Sequence, residues 1–284
     1  MGRPMADNLL AAGLPMTVYN RTRSRCEPFA ERGARIADSP AELARAVDVV
    51  ITMVADGAAA EAVYGGPDGV LAGLGSGNLV LEMSTIGPEL ARSLGRRAAE
   101  CGAQLLDAPV SGSIPAATGA QLVVLVGGDS DAFERARPIL AALSRAQYLM
   151  GPAGAGAAMK LAVNALIGVT NLGLSEVLVA AERSGIARAQ ALDVLADSAI
   201  GSPYIAYKRE AFLDPDSVEV FFTVRLFKKD LRLAVDLGRS TDVPMLAVAL
   251  ADEALTLAAA SGYGDDDVVR MADVLRTRAE VASR

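Results

Sequence analysis

Residues 47–54 read "VDVVITMV", a run in which only Asp48 and Thr52 interrupt the apolar side chains. A strand with one face in water alternates apolar and polar residues, whereas a continuous run marks a strand buried on both faces. Such burial requires cover above and below, and helices alternating with parallel strands supply it. The stretches on either side keep that rhythm. Short apolar runs at 16–19, 78–83, 104–108, 122–126 and 147–150 read as further strands, with helical patterns between most of them.

The alternation predicts an α/β fold of the Rossmann type, a doubly wound parallel sheet, over residues 1–150. After "GPAGAG" at 151–156 the strand signals stop. Residues 157–184, 187–199, 226–240, 245–260 and 265–282 then read as helices, which predicts an all-helical second domain over 151–284. The glycine-rich stretch forms the joint between the two.

The pattern begins in mid-motif. Residues 1–13 read as a helix with Met5, Leu9 and Leu10 on one face and Gly13 placed to end it, and residues 16–19 follow as a strand. Helix then strand is the second half of a strand–turn–helix–strand unit, so the expected first strand and its turn, roughly ten residues, would lie ahead of Met1. Gly2 then stands where the third glycine of a G-x-G-x-x-G dinucleotide fingerprint packs helix against strand.

Composition removes several classes of function. The 284 residues contain no histidine, and Cys26 and Cys101 stand alone, so neither a zinc site nor a Ser-His-Asp hydrolase can be assembled. A net charge of −7 gives no reason to expect nucleic acid as a partner. No signal peptide or disulfide pattern is visible, and the expected location is cytoplasmic. Mean hydropathy is +0.32, but Asn164, Asn171 and Glu176 interrupt the longest apolar segment, 161–181, so it is read as a buried helix with no membrane span expected.

Four stretches carry chemistry. In "VYNRT", Asn20 and Arg21 fall 18 and 19 positions after Gly2, where an NAD enzyme places an acidic residue on the ribose. Asn accepts a hydroxyl and Arg grips a 2′-phosphate, which favours NADP(H) over NAD(H); an exposed loop arginine fits the spacing equally well. Thr22 continues this stretch, and Met53 and Val54 at the carboxyl end of the 47–54 run are assigned to the cofactor with it. In "LEMSTIGPELA", Ser84 and Thr85 end a strand, where they reach a ligand or else cap the next helix.

The third stretch, "DAPVSGSIPAATGAQL", exposes the N–H groups and hydroxyls of Ser111, Gly112 and Ser113, a receptor for a carboxylate or simply a Ser-Gly turn. In the fourth, "GAGAAMKLAVNALIG", Lys160 and Asn164 are four residues apart on one face of an apolar helix. A lysine there either extends to solvent or serves as the proton-transfer group that a chain without histidine needs.

Together these motifs resemble the 3-hydroxyisobutyrate dehydrogenase-like β-hydroxyacid dehydrogenases, among them glyoxylate and succinic semialdehyde reductases, over the whole length. "MGRPMADNLL", "STIGP", "DAPVSGS", "GAGAAMKLAVN" and "FKKDLRLA" stand in the family's order. The resemblance implies that Lys160 is the catalytic lysine, that Ser111, Gly112, Ser113 and Asn164 shape the substrate site, and that Thr85 and Lys229 contact the cofactor. It also implies a small carboxylate substrate, no metal, and a homodimer or homotetramer. Ser113 departs from the usual S-G-G, and the start departs from the family's longer one. The alternatives are an imine reductase-like NADPH enzyme, whose relatives place another residue at the lysine position, or a catalytically impaired oligomeric scaffold.

Overall fold

The computed structural model describes residues 1–281. In chain order α1 (Gly2–Ala11) leads to β1 (Thr17–Val18), α2 (Glu27–Ala30), β2 (Arg35–Ile36), α3 (Pro40–Ala46) and β3 (Val49–Thr52). Next come α4 (Gly57–Tyr64), α5 (Val70–Gly73), β4 (Leu79–Glu82), α6 (Pro88–Glu100), β5 (Gln104–Asp107) and β6 (Val110–Ser111). They are followed by α7 (Ile114–Thr118), β7 (Leu122–Gly127), α8 (Ser130–Ala141) and β8 (Ser144–Gly151). The rest is helical: α9 (Ala155–Arg183), α10 (Arg188–Asp197), α11 (Pro203–Leu213), α12 (Val224–Ser240), α13 (Leu246–Ala258) and α14 (Met271–Val281). Packing divides the chain into two compact units, Met1–Leu161 and a second that begins at Ala162, so the first turns of α9 belong to the α/β unit.

Local chemistry explains where the helices start. Ser39 accepts from Glu42 N while Glu42 Oε2 accepts from Asp38 N, a reciprocal cap with Pro40 at the first helical position of α3. Asp56 and Asp129 cap α4 and α8, and Ser202 and Thr223 cap α11 and α12.

The α/β unit holds two sheets. β1 and β2 pair in parallel, and the larger sheet runs β3-β4-β5-β7-β6 with β8 paired to β7. No strand joins the two sheets among the described residues. All four residues of β4 are buried, as the continuous apolar runs predict. Leu79, Leu81 and Leu106 face one core with Met5, Phe133 and Leu140, while Val50, Val80 and Leu105 face the other with Tyr64, Leu94 and Ala157.

Several expectations need correction. The sheet is not wholly parallel, because β7 runs antiparallel to β5 and β6. The segment 112–121 between β6 and β7, which holds only the short α7, is too short for a parallel crossover of a dozen or more residues. β2 and β6 went unread because, unlike the equally short β1 between Met16 and Tyr19, they have no large apolar residue on either side, and α11 was not expected at all. The expected helix 245–260 ends at Ala258 in a π turn, Ala259–Tyr263, with Gly262 at φ 99°. The expected helix 265–282 breaks where the Asp267 carboxylate accepts from Val269 N, giving a 3-10 turn, Val268–Arg270, before α14; residue 282 lies outside the described residues. Among the described residues two helices, Ala155–Arg183 and Leu246–Tyr263, are long and apolar enough by composition to cross a membrane, a test that the interruptions at Asn164, Asn171 and Glu176 were expected to prevent; half of the most apolar stretch of the first is buried inside the protein, as in a core helix.

Candidate active site

The strand register lines up polar residues at the carboxyl ends of the large sheet. Thr52 pairs with Glu82, Glu82 with Asp107, and Asp107 with Gly127. Ligands of doubly wound sheets sit beyond these ends. Thr52 Oγ1 donates to Glu82 Oε2 at 2.6 Å and shares a hydrogen bond of 2.9 Å with the Tyr64 hydroxyl. Ser84 N donates to Glu82 Oε1 at 2.8 Å. Burial pushes the Glu82 carboxyl above its ordinary range, and the bonds from Ser84 and Thr52 pull it partly back.

Of the residues assigned to the cofactor from sequence, Met53 and Val54 follow β3 and Thr85 follows β4. Ser84 Oγ accepts from Val54 N at 2.8 Å, tying the ends of β3 and β4 together. Ser84 therefore does not cap α6, whose N-cap is Gly87 without a side-chain bond. A Cβ at Gly2 would lie 3.6 Å from Met53 Cγ, so the start of α1 meets the end of β3. Thr85 is half-buried next to Ser84.

Beyond β1, Asn20 Oδ1 accepts from Thr22 N at 2.9 Å, closing a tight turn over Arg21. Arg23 is paired with Asp38, whereas Arg21 is exposed and has no acidic partner among the described residues. This donor set fits a dinucleotide: unpaired N–H groups at the start of α1, hydroxyls at the strand ends, and a free guanidinium beyond β1.

Ser111 ends β6, and Ser113 precedes α7 without a side-chain capping bond. Gly112 between them has φ 135°, and a Cβ there would meet Leu122 Cδ2 at 2.9 Å. Only glycine fits that backbone. The hydroxyl of Ser113 is thus left available at the rim, as a carboxylate receptor needs.

Lys160 lies in the second turn of α9 and is 8% exposed, which removes the reading in which it extends to solvent. Asn164, one turn on, is 1% exposed. In the helical unit, Asn164 Nδ2 donates to Asp230 Oδ2 at 2.6 Å. That bond fixes the amide's orientation and leaves its carbonyl oxygen as the acceptor. Lys229 Nζ lies 2.8 Å from the other Asp230 oxygen as an ion pair rather than an aligned hydrogen bond.

Three buried acids were not singled out from sequence: Glu82 and Asp107 in the α/β unit and Asp230 in the helical unit. Glu82 and Asp107 are acids at the ends of apolar strand runs, and that contrast was the available signal, because a buried carboxylate must find donors; Asp230 sits among Lys228, Lys229 and Arg232 and gives no such contrast.

Strand ends, anion-ready helix start and lysine-bearing helix define a dinucleotide-dependent oxidoreductase built on a Rossmann unit. Residues 1–151 match the family described as the NAD binding domain of 6-phosphogluconate dehydrogenase, and residues 154–275 match that described as the NAD-binding of NADP-dependent 3-hydroxyisobutyrate dehydrogenase. Glyoxylate/succinic semialdehyde reductase 1 of Arabidopsis thaliana is 35% identical over 267 residues, covering 94% of this chain and 92% of the relative. A solved 3-hydroxyisobutyrate dehydrogenase of Mycobacterium tuberculosis with L-serine is 29% identical with TM-score 0.84, covering 97% of this chain and 96% of the other. Psf3 in complex with NADP+ and 2-OPP is 26% identical with TM-score 0.87 over the same shares. The chain belongs to the 3-hydroxyisobutyrate dehydrogenase-like family of hydroxyacid dehydrogenases, and its cofactor is of the NAD(P) class.

Proposed function

We propose that this enzyme reduces a small carboxylate-bearing aldehyde or semialdehyde to its hydroxy acid, with NADPH preferred over NADH and Lys160 as the proton donor. The observation that carries this reading is Lys160 itself, buried at 8% exposure in an apolar helix one turn before Asn164. A lysine in that position has left water, which only a dedicated task or partner justifies.

When bound, NADPH supplies the hydride that the carbonyl carbon receives. The Lys160 ammonium gives its proton to the developing alkoxide, so that carbonyl plus hydride plus proton become the alcohol. Asn164, its amide fixed by Asp230, presents a carbonyl oxygen that steadies the lysine or the substrate hydroxyl. The Ser111–Gly112–Ser113 loop holds the substrate carboxylate through N–H and hydroxyl donors. Arg21 beside the Asn20 turn supports the choice of NADPH, since its guanidinium suits a 2′-phosphate. Val243, Leu246 and Leu250, at 52%, 80% and 62% exposure, support a homodimer or homotetramer.

The decisive test is Lys160→Ala. Reduction of succinic semialdehyde or glyoxylate should fall by about a thousandfold or more, the scale expected for a group essential to proton transfer. NADPH affinity, read by quenching of nicotinamide fluorescence, should stay within twofold. A variant that keeps most of its turnover removes Lys160 from the chemistry.

A further inference from the structure

Asp107 ends β5, is 1% exposed, and pairs with no side-chain cation among the described residues. Its Oδ1 accepts from Gly154 N at 2.7 Å and its Oδ2 from Ala157 N at 2.8 Å. Both donors sit at the start of α9, the helix that carries Lys160 three residues after Ala157.

The approach is close. A Cβ at Gly127 would lie 2.6 Å from Asp107 Oδ1, and a Cβ at Gly156 would lie 2.6 Å from the Asp107 carbonyl oxygen and 2.3 Å from that of Leu125. The helix start is therefore set directly on the ends of β5 and β7, with Asp107 as the clasp. The same residue opens the four-residue step to Ser111. One carboxylate thus joins the proposed substrate loop to the proposed proton donor.

We infer that Asp107 is a positioning residue for the reaction: it fixes the register of α9 against the Ser111–Ser113 loop, and its charge opposes the positive end of α9 beside Lys160. Both carboxylate oxygens face N–H donors, so a proton on either would break a bond, and the bound form is the anion. Of the charged groups on neighbouring elements, Glu82 stands one strand away in register, and Arg92 on α6 lies against Gly154, its Nη1 2.7 Å from where a Gly154 Cβ would be. A helix start carries about half a positive charge, and an opposing anion keeps that field from disfavouring a nearby ammonium. Burial and helix-terminal bonds act on Asp107 in opposite senses, the first raising its pKa and the second lowering it.

The inference rests on the reading of Lys160 as the proton-transfer group, and the test separates the two. In Asp107→Asn the alkaline limb of hydroxy-acid oxidation should move to lower pH by about half a unit, the size of a charge–dipole interaction at a helix end. Turnover should fall several-fold while the substrate KM stays within twofold. Carbamylation of Lys160 by cyanate, followed by peptide mass against pH, reads the same amine without turnover, and its midpoint should move by the same amount. Asp107→Ser, a neutral cap, repeats the measurement should the first variant fold poorly.

A lower melting temperature with limb and midpoint both at their wild-type values would reduce Asp107 to a structural cap and overturn the inference. A midpoint that moves beneath an unmoved limb would leave the coupling standing and instead remove Lys160 from the reaction.

Discussion

Asp107 in the α/β unit and Asp267 in the helical unit are both almost wholly buried aspartates, yet they are satisfied in different ways. Asp107 spends its oxygens on the N–H groups of Gly154 and Ala157. Asp267 faces Lys208, itself 1% exposed, whose Nζ lies 2.7 Å from each of its oxygens. It also accepts from Phe221 N, Phe222 N and Val269 N, pinning the segment that precedes α12. A parallel sheet ends where helix starts begin, so a carboxylate at a strand end finds donors already in place. Asp267 also takes N–H donors, from a loop and a single 3-10 turn, but it is buried against a side-chain cation as well, so its charge is matched by a counter-ion that Asp107 lacks among the described residues.

That contrast predicts where mutation hurts most. Lys208→Ala leaves Asp267 buried without its cation and should cost about 3–5 kcal/mol of stability, the usual loss on breaking a buried pair from one side. Burial already holds the Lys208 ammonium below its ordinary range, with Asp267 pulling it back, so the pair stands or falls together. Chemical denaturation checks this. A loss under about 1 kcal/mol, no more than an exposed pair is worth, would erase the distinction between the two aspartates.

A smaller, pH-dependent effect is expected at Glu82. Its pKa is raised in the folded state by burial, so the folded protein holds that proton more tightly than the unfolded chain. Stability is therefore lost as pH rises from the ordinary glutamate range, about 4.3, through the raised folded value. Glu82→Gln removes that loss. Its Nε2 can donate to Thr52 Oγ1, because the Thr52–Tyr64 hydrogen bond can run in either direction. The melting temperature of Glu82→Gln relative to wild type should rise between pH 4.5 and neutrality, scanned by calorimetry. A flat difference would mean that Glu82 is ionised at no cost in both states.

The smallest stability effect belongs to Arg21, which is exposed and unpaired with any acid among the described residues. Arg21→Ala should leave the melting temperature within a degree or so and raise the KM for NADPH about tenfold, as loss of a charge-assisted bond does. The KM for NADH should hardly move. Equal changes for both cofactors would assign Arg21 to binding in general rather than to the 2′-phosphate.

The apolar runs at 47–54, 78–83 and 104–108 were enough to find β3, β4 and β5, because burial on both faces leaves its mark residue by residue. β2 and β6, two residues each between Ala34 and Ala37 and between Pro109 and Gly112, lack the large apolar flanks that marked the equally short β1. The direction of β7 was hidden for another reason: it depends on how much chain lies in 112–121, which periodicity does not measure. In the site, Lys160 stood out because a cation among Ala, Leu and Val breaks the local pattern. Asp107 did not, since its donors Gly154 and Ala157 come 47 and 50 residues later and nothing near it in sequence announces them. Glu82 and Asp230 have near neighbours in Ser84 and Lys229, but the side chains that donate to them, Thr52 and Asn164, lie 30 and 66 residues away.

The close seating of Gly127 and Gly156 has a consequence for how this enzyme can change over time. At both positions any side chain would drive into backbone or carboxylate atoms within 3 Å, so the joint between sheet and α9 has no neighbouring sequence to drift into. Gly95 and Gly173, with open space around them, carry no such restriction. Variation is thereby steered away from the joint and into the loops, where a new substrate can be tried while the chassis that delivers the lysine stays fixed.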